Sequence, residues 1–128
     1  MHLVPAEHAH RRTIDDHLVC AAIEGIGDPA ELRTWSERFA LLADPGRLAL
    51  LRAIAAVPDI SVSDLAIAAG MNDTAVSQAL RLLRIAGAVA ARKDGRIMRY
   101  HLADEVVGSL LRHVDGAAAG SGHGHDAG

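Results

Sequence analysis

Hydrophobic residues recur at intervals of three and four positions through most of the chain, the spacing that places them on one face of an α-helix. Six segments show this spacing, and the first is predicted to begin at about Thr13 and to end at about Glu24. The segments read TIDDHLVCAAIEGIG, GDPAELRTWSERFALLAD, GRLALLRAIAAV, VSDLAIAAG, MNDTAVSQALRLLRIAG and ADEVVGSLLRHVDGAAA. The chain is therefore predicted to be mainly helical.

Capping residues and prolines mark where these helices begin. Asp28 precedes Pro29 and Asp44 precedes Pro45, so each pair supplies an N-cap followed by a proline at the first helical position. Ser61 has the spacing of a capping box with the carboxylate three residues later. Further predicted caps and helix ends are Asn72 or Asp73, Gly25, Gly27, Gly70 and Gly87.

The period changes in the segment AVAARKDGRIMRYHL, where Asp94 and Gly95 predict a two-residue turn closing a β-hairpin. Helix, short helix, tight turn, helix and hairpin is the order of elements in a winged helix-turn-helix. Small Ala66, Gly70 and apolar Val76 stand where two closely crossing helices need them. We therefore predict a mainly α winged helix-turn-helix with a small β-hairpin. An ordinary amphipathic surface helix at NDTAVSQALRLLR is the alternative, and it leaves the hairpin unexplained.

The length of 128 residues fits one compact domain. Residues 1–12 are predicted to be a flexible N-terminal arm, residues 13–118 the winged helix-turn-helix domain with an N-terminal helical extension, and residues 119–128 a disordered Gly/His tail. A single cysteine and an N-terminus without the apolar run of a signal peptide indicate a cytoplasmic protein. No segment approaches the roughly 18 uncharged apolar residues that a membrane span needs.

Charge is unevenly distributed along the chain. The formal net charge of −3 by itself argues against a nucleic-acid partner. Residues 71–102, however, contain six basic residues against two acidic ones, a local charge of +4. In this segment a polar and basic stripe at helical spacing lies opposite an aliphatic face, and it consists of Thr74, Ser77, Gln78 and Arg81.

A helix laid in the major groove of double-stranded DNA gives this stripe a role. Gln78 can read adenine, Thr74 and Ser77 can bond bases or phosphates, and Arg81 can reach guanine or the backbone. The tip of the hairpin would contact phosphates or the adjacent minor groove through Arg92, Lys93 and Arg96. For Arg84 and Arg99 the spacing leaves a solvated role and a DNA contact equally open.

The segments FALLADPGRLALLRAI and SVSDLAIAAGMNDTAVSQALRLLRIAGAVAARKDGRIMRYHL resemble the ArsR/SmtB family of bacterial metal-responsive repressors. The resemblance covers roughly residues 35–115, and at Ala79 the chain departs from the His that members commonly have. The matching residues are Leu42, Ala43, Asp44, Pro45 and Arg47, then Val76, Ser77, Leu80, Leu83, Ala86 and Gly87, and in the hairpin Gly95, Arg96 and Tyr100.

The resemblance implies a homodimer, formed through the first and last helices of the fold, that binds a two-fold operator. The segments LRTWSERFALL and VVGSLLRHV are more apolar than a solvent-facing terminal helix should be, which permits such pairing. Burial of either helix in the core of its own protomer is the alternative.

Metal-sensing members of the family release DNA when an ion binds, and the resemblance locates two of their usual sites. The dithiol site is missing, because the corresponding positions hold Ser61, Ser63, Leu82 and Ala86. In the last helix Asp104 matches the family's aspartate. Val106 and Ala117, however, stand where its histidines are expected, so this site is in doubt as well.

A different set of donors remains available for nickel, cobalt or zinc, which imidazole and carboxylate ligands suit. His17 and Cys20 are three positions apart on the first predicted helix, so both side chains can reach one ion. A partly buried helix face explains this pair equally well. The other candidate ligands are Asp104, His113 and four histidines near the chain ends, His8, His10, His123 and His125. For these four histidines, solvated side chains are the alternative, and for His113 an ordinary surface or interface role.

The sequence as a whole predicts a DNA-binding transcriptional repressor that a divalent transition metal releases from its operator. A regulator that senses no metal, with Cys20 as a thiol switch or with no inducer, is one alternative. A small metal-binding or protein-interaction module that binds no DNA is another. The sequence does not indicate an enzyme. It shows no nucleophile paired with a base, no phosphate-binding loop and no pair of acidic residues in a cleft.

Overall fold

The computed structural model describes residue 12 and residues 14–122, with side chains described as far as Val114. The chain divides into two compact units, Met1–Phe39 and Ala40–Gly128. The elements in chain order are α1 (Asp16–Ile26), α2 (Pro29–Leu42), α3 (Pro45–Ala56), β1 (Ile60–Ser61), α4 (Val62–Ala69), α5 (Asp73–Ile85), β2 (Val89–Asp94), β3 (Ile97–Leu102) and α6 (Glu105–Gly122).

The first unit contains α1 and most of α2. Asp15 caps α1 by accepting hydrogen bonds from the amides of His17 and Leu18, so the helix begins at Asp16 and not at the predicted Thr13. It continues through the predicted end at Glu24 to Ile26. Gly27 ends it with a φ of +84°, a conformation that glycine adopts without strain.

The core of the second unit is aliphatic except for Tyr100, and among its described residues no charged side chain is buried. Every helix of this unit contributes to the core, as do two strands. Its members are Leu50, Leu51, Ile54, Leu65, Ala66, Val76, Leu80, Leu83, Ala88, Val89, Tyr100, Val107 and Leu111. This cluster determines which face of α5 points away from the protein.

The predicted Asp-Pro helix start is confirmed between α2 and α3. Asp44 caps α3 by accepting from the amide of Arg47 at 2.9 Å. The Arg47 guanidinium in turn donates to the carbonyls of Leu41 at 3.0 Å and Ala40 at 3.1 Å, in the last turn of α2. One short segment therefore satisfies the amides that begin one helix and the carbonyls that end the preceding one.

The turn between α4 and α5 has the predicted helix-turn-helix geometry. Ser61 accepts from the amide of Asp64 and caps α4, and Gly70 ends that helix with a φ of +64°. Asn72, and not Asp73, caps α5 by accepting from the amide of Ala75 at 2.8 Å. Ala66 and Val76 are both buried, as the close crossing of the two helices requires.

The three strands form an antiparallel sheet in the order β1-β3-β2. The predicted hairpin is present, but Asp94 pairs with Ile97, so the two loop residues are Gly95 and Arg96, not Asp94 and Gly95. Gly95 has a φ of +63°, which suits a hairpin turn with glycine first. The sequence did not predict β1, because its two residues pair with Arg99 and Tyr100 far along the chain.

The last helix, α6, ends at Gly122, beyond the predicted domain boundary at residue 118. Asp104 precedes it, and the carboxylate Oδ1 accepts from the amides of Val106 at 2.8 Å and Val107 at 3.3 Å. Val107 and Leu111 face the core of the second unit. In the described part of the chain no helix is both long enough and apolar enough to span a bilayer.

Candidate nucleic-acid interface

Helix α5 presents one apolar and one polar face. Val76, Leu80 and Leu83 are buried at 1 % exposure or less. The predicted stripe residues are all exposed on the other side, and they are Thr74, Ser77, Gln78 and Arg81. The Asn72 cap fixes where the helix starts. After Gly87, the Ala88 amide donates a hydrogen bond to the Leu83 carbonyl and closes the end of the helix. The stripe therefore lies on a helix held in place from beneath.

The hairpin β2–β3, with its Gly95–Arg96 loop, is termed the wing below. Arg92 and Lys93 near the end of β2 and Arg96 in the loop, the predicted DNA contacts of the hairpin, are exposed. Within the described residues, neither Lys93 nor Arg96 is ion-paired with a carboxylate. The wing therefore presents two cations at its tip that are available to an anionic partner.

Arg92, by contrast, has a carboxylate near it. Its Nε lies 3.6 Å from Oδ1 of Asp59, and Nδ1 of His101 lies 3.9 Å from the same oxygen. Asp59 stands immediately before β1 with a φ of +66°, the only positive φ of a non-glycine residue in the described chain. The Asp59 amide donates a hydrogen bond to the Tyr100 carbonyl at 3.0 Å, which holds the Asp59 backbone in place.

Arg99 also has defined partners. Its Nε donates to Oδ2 of Asp94 at 2.8 Å, and its Nη1 donates to the backbone carbonyl of Asp59 at 3.1 Å. The hydrogen bond and the charge of Arg99, with a smaller contribution from the charge of Arg92, hold the pKa of Asp94 below its ordinary value. Of the two arginines left open by the sequence, Arg99 is therefore tied into the sheet.

Sequence reasoning missed the role of Asp59. Arg99 and Asp59 are separated by 40 positions in sequence and meet because β1 pairs with β3. The local pattern of the hairpin contains no sign of this carboxylate. Asp59 and the hairpin are far apart in the sequence, so no local signal could have located the contact.

An open groove of about 580 Å³ lies beside the stripe, between α5, β3 and the start of α4. Two cationic side chains line it, together with a serine hydroxyl, a tyrosine ring and three aliphatic residues. These residues are Val62, Ser77, Leu80, Arg81, Arg84, Ile85 and Tyr100. Part of the polar stripe therefore forms one wall of a groove between the helix and the sheet.

The predicted metal ligands lie on different elements or outside the described residues. His17 and Cys20 both lie on α1, and no group of three or more His, Cys, Asp or Glu side chains positioned to hold an ion is found in this part of the chain. Asp104 acts as the cap of α6, and His113 is exposed nine positions further along. His8, His10, His123 and His125 lie outside the described residues.

Comparison with known proteins decides the family. No protein-family model matches the chain. The putative arsenical resistance operon repressor ArsR2 of Halobacterium salinarum, however, is 36% identical over 97 residues, which cover 75% of this chain and 81% of that protein. The chain belongs to the ArsR/SmtB family. The resemblance seen in its sequence is thereby confirmed.

Two further similar proteins support this family assignment. A transcriptional repressor SmtB homolog of Synechocystis sp. is 44% identical over 79 residues, 62% of this chain and 59% of that protein. The homodimeric winged helix-turn-helix DNA-binding domain Mb0332 of Mycobacterium bovis is 32% identical with a TM-score of 0.63, covering 77% of this chain and 92% of that one. The predicted fold class is therefore confirmed.

The family assignment has two consequences for function. The ArsR/SmtB relatives are transcriptional regulators, which confirms the expectation that the chain is not an enzyme. The chain spans only about three fifths of the length of the SmtB homolog and of NmtR of Mycobacterium tuberculosis, at 59% and 58%. What the whole protein binds and responds to is therefore a matter for proposal.

Proposed function

We propose that this protein is a transcriptional repressor that binds an operator in double-stranded DNA with α5 in the major groove. The observation that supports this best is the exposed stripe of Thr74, Ser77, Gln78 and Arg81 over a buried aliphatic face. Amide, hydroxyl and guanidinium groups are those that read base edges and phosphates. The N-terminal amides of α5 favour an adjacent phosphate as well.

The wing adds contacts of a different kind in this proposal. Lys93 and Arg96 are exposed at its tip and would contact backbone phosphates or the adjacent minor groove. Arg92 would contribute more weakly, since the Asp59 carboxylate lies 3.6 Å from its Nε and competes with phosphate for it. The wing would therefore increase affinity for any duplex, while α5 would select the sequence.

The protein would act as a homodimer, which matches a two-fold operator. Helices α1 and α2 contain no buried residue, and several of their large apolar side chains are exposed. Leu18 is 67% exposed, Leu32 52% and Phe39 55%. Such an apolar surface favours a protein partner. We assign it to a second copy, paired through the first helices and the last helix, α6.

A gel-shift titration with the protein's own promoter region tests DNA binding. The wild-type protein should form a specific complex at moderate salt, and the double variant Gln78→Ala with Arg81→Ala should lose it. Absence of a specific wild-type complex would refute the proposal. Unaltered binding by the double variant would show that α5 is not the reading helix and would favour an interaction module instead.

Release by nickel, cobalt or zinc is a second part of the proposal. The described residues do not by themselves fit an ion, since no three potential ligands converge there. Imidazole donors are nevertheless plentiful, with eight histidines in the chain, and His17 lies on the same turn of α1 as the single cysteine, Cys20. The remaining ligands would come from His8, His10, His123 and His125, or from Asp104 and His113 of the two protomers.

Metal stoichiometry on the wild type and on a chain lacking residues 1–12 and 120–128 tests this part. Binding lost on truncation would support ligands in the His-bearing ends. Operator affinity unchanged by nickel, cobalt, zinc and cadmium would exclude metal release. In that case, loss of regulation in Cys20→Ser would support a thiol switch, and retained regulation would exclude one.

A further inference from the structure

The groove beside α5 carries positive charge. Arg81 and Arg84 both line it, three positions apart on the helix and therefore about 4.5 Å apart along its axis. Ser77 precedes Arg81 by four positions, so the hydroxyl and both guanidiniums follow one face of α5. The stripe thus continues one turn further than its sequence pattern indicated.

Like charges three positions apart on a helix are mildly destabilising, and an anion bound beside both would relieve this repulsion. Within the described residues, neither Arg81 nor Arg84 is ion-paired with a carboxylate. Both side chains are exposed at the groove, which is open enough for a ligand to enter from the side. Guanidinium groups bind phosphate oxygens in bidentate geometry, and a serine hydroxyl can donate to a third oxygen. The groove therefore fits a phosphate.

The position of the groove identifies where that phosphate comes from. If α5 lies in the major groove and the wing reaches the adjacent minor groove, the sugar-phosphate strand that separates the two grooves must pass between α5 and the wing. The protein groove beside α5 lies in that gap, because α5 forms one of its walls and Tyr100 of β3 contributes to the other. The strand would run along Arg81 and Arg84.

We propose that the protein groove beside α5 binds the phosphodiester strand that separates the major from the minor groove of DNA. Arg84 contacts a phosphate of this strand, and Arg81 contacts the same strand instead of guanine. This inference rests on the proposed DNA binding and adds the residues that set the register of the duplex. Arg84 would supply affinity that is independent of sequence, since phosphates are the same at every base pair.

The experiment compares Arg84→Ala, Arg84→Lys and wild type on operator and on unrelated duplex over a range of salt. Arg84→Ala should bind both DNAs about tenfold more weakly. Its log-log salt slope should be shallower by about 0.9 per protomer. Arg84→Lys should keep the slope but recover only part of the affinity, because an ammonium group cannot bind phosphate in bidentate geometry. Arg52→Ala, which removes an equal charge from an exposed position on α3 outside the groove, should match wild type.

Neutral methylphosphonate substitutions, placed one at a time along the operator backbone, locate the contact. At the phosphate that Arg84 binds, the substitution should weaken the wild type but not weaken Arg84→Ala further. The inference would be overturned if Arg84→Ala kept the wild-type salt slope and affinity, or if it lost affinity for operator DNA alone. Either result would leave the proposed DNA binding intact. Failure of the wild type to bind any duplex would instead refute the proposed function.

Discussion

Arg92 and Arg99 lie directly opposite each other in the β2–β3 ladder. Two like charges at such a pair of positions destabilise a sheet. In this protein two carboxylates offset the repulsion: Oδ2 of Asp94 lies 2.8 Å from Arg99, and Oδ1 of Asp59 lies 3.6 Å from Arg92. The outer face of the wing is therefore a set of alternating charges and not a uniformly basic surface.

Replacing Asp94 by asparagine should reduce the pH dependence of stability. Arg99 lowers the folded-state pKa of Asp94 from its ordinary value of 3.8, so this carboxylate stabilises the fold at pH values above that ordinary value. That contribution is lost as the pH falls through the lower folded-state value. Thermal unfolding of wild type and Asp94→Asn should therefore differ at pH 6, and the difference should shrink as the pH falls towards about 2.

The matched control is Glu37→Gln, which removes an exposed carboxylate from α2, outside the sheet. It tests whether loss of any negative charge has the same effect. A difference between wild type and Asp94→Asn that stays constant from pH 6 to about pH 2 would contradict the assigned role of the Asp94–Arg99 pair.

Replacing Asp59 by asparagine should strengthen binding to any duplex. Asparagine tolerates the φ of +66° and keeps the backbone carbonyl that accepts from Arg99, so the sheet should remain intact. It removes the charge that competes for Arg92. Because an exposed ion pair contributes about 0.2–1 kcal/mol, affinity should rise by up to about fivefold at low salt.

Fluorescence anisotropy with unrelated DNA measures this effect, and the gain should shrink as salt increases. Glu37→Gln changes the net charge equally and should leave affinity near that of wild type. If Asp59→Asn binds no better than Glu37→Gln, then Arg92 does not contact DNA.

The fold was predictable because its signals are local. Caps such as Asp44 and Ser61 act on amides three residues away, and the stripe on α5 follows from helical spacing. Strand β1 and the contact between Asp59 and Arg92 were not predictable, because they depend on pairing between distant segments. The hairpin loop was predicted one residue too early, since Asp-Gly is a turn signal in either register.

Two adjacent leucines on α5 test how strongly packing against the core holds this helix in place. Leu83 is completely buried, whereas Leu82 is 43% exposed. Leu83→Ala should lower the free energy of unfolding by about 2–5 kcal/mol because it leaves a cavity. Leu82→Ala should lower it by only about 0.5 kcal/mol. Urea unfolding at one fixed protein concentration measures both, and equal losses would contradict the packing described for α5.

Gln78 and Arg96 should affect DNA binding in different ways. The Gln78 amide is uncharged and exposed on α5, so it can distinguish bases but releases no counterions. Gln78→Ala should cost about 1–3 kcal/mol on the operator and almost nothing on unrelated DNA. Arg96→Ala in the wing loop should weaken both and reduce the salt slope by about 1 per protomer. Titrations of both variants on both DNAs separate the effects. If Gln78→Ala instead weakened both DNAs equally, its role would be to position the backbone, and sequence would have to be read by other residues of α5.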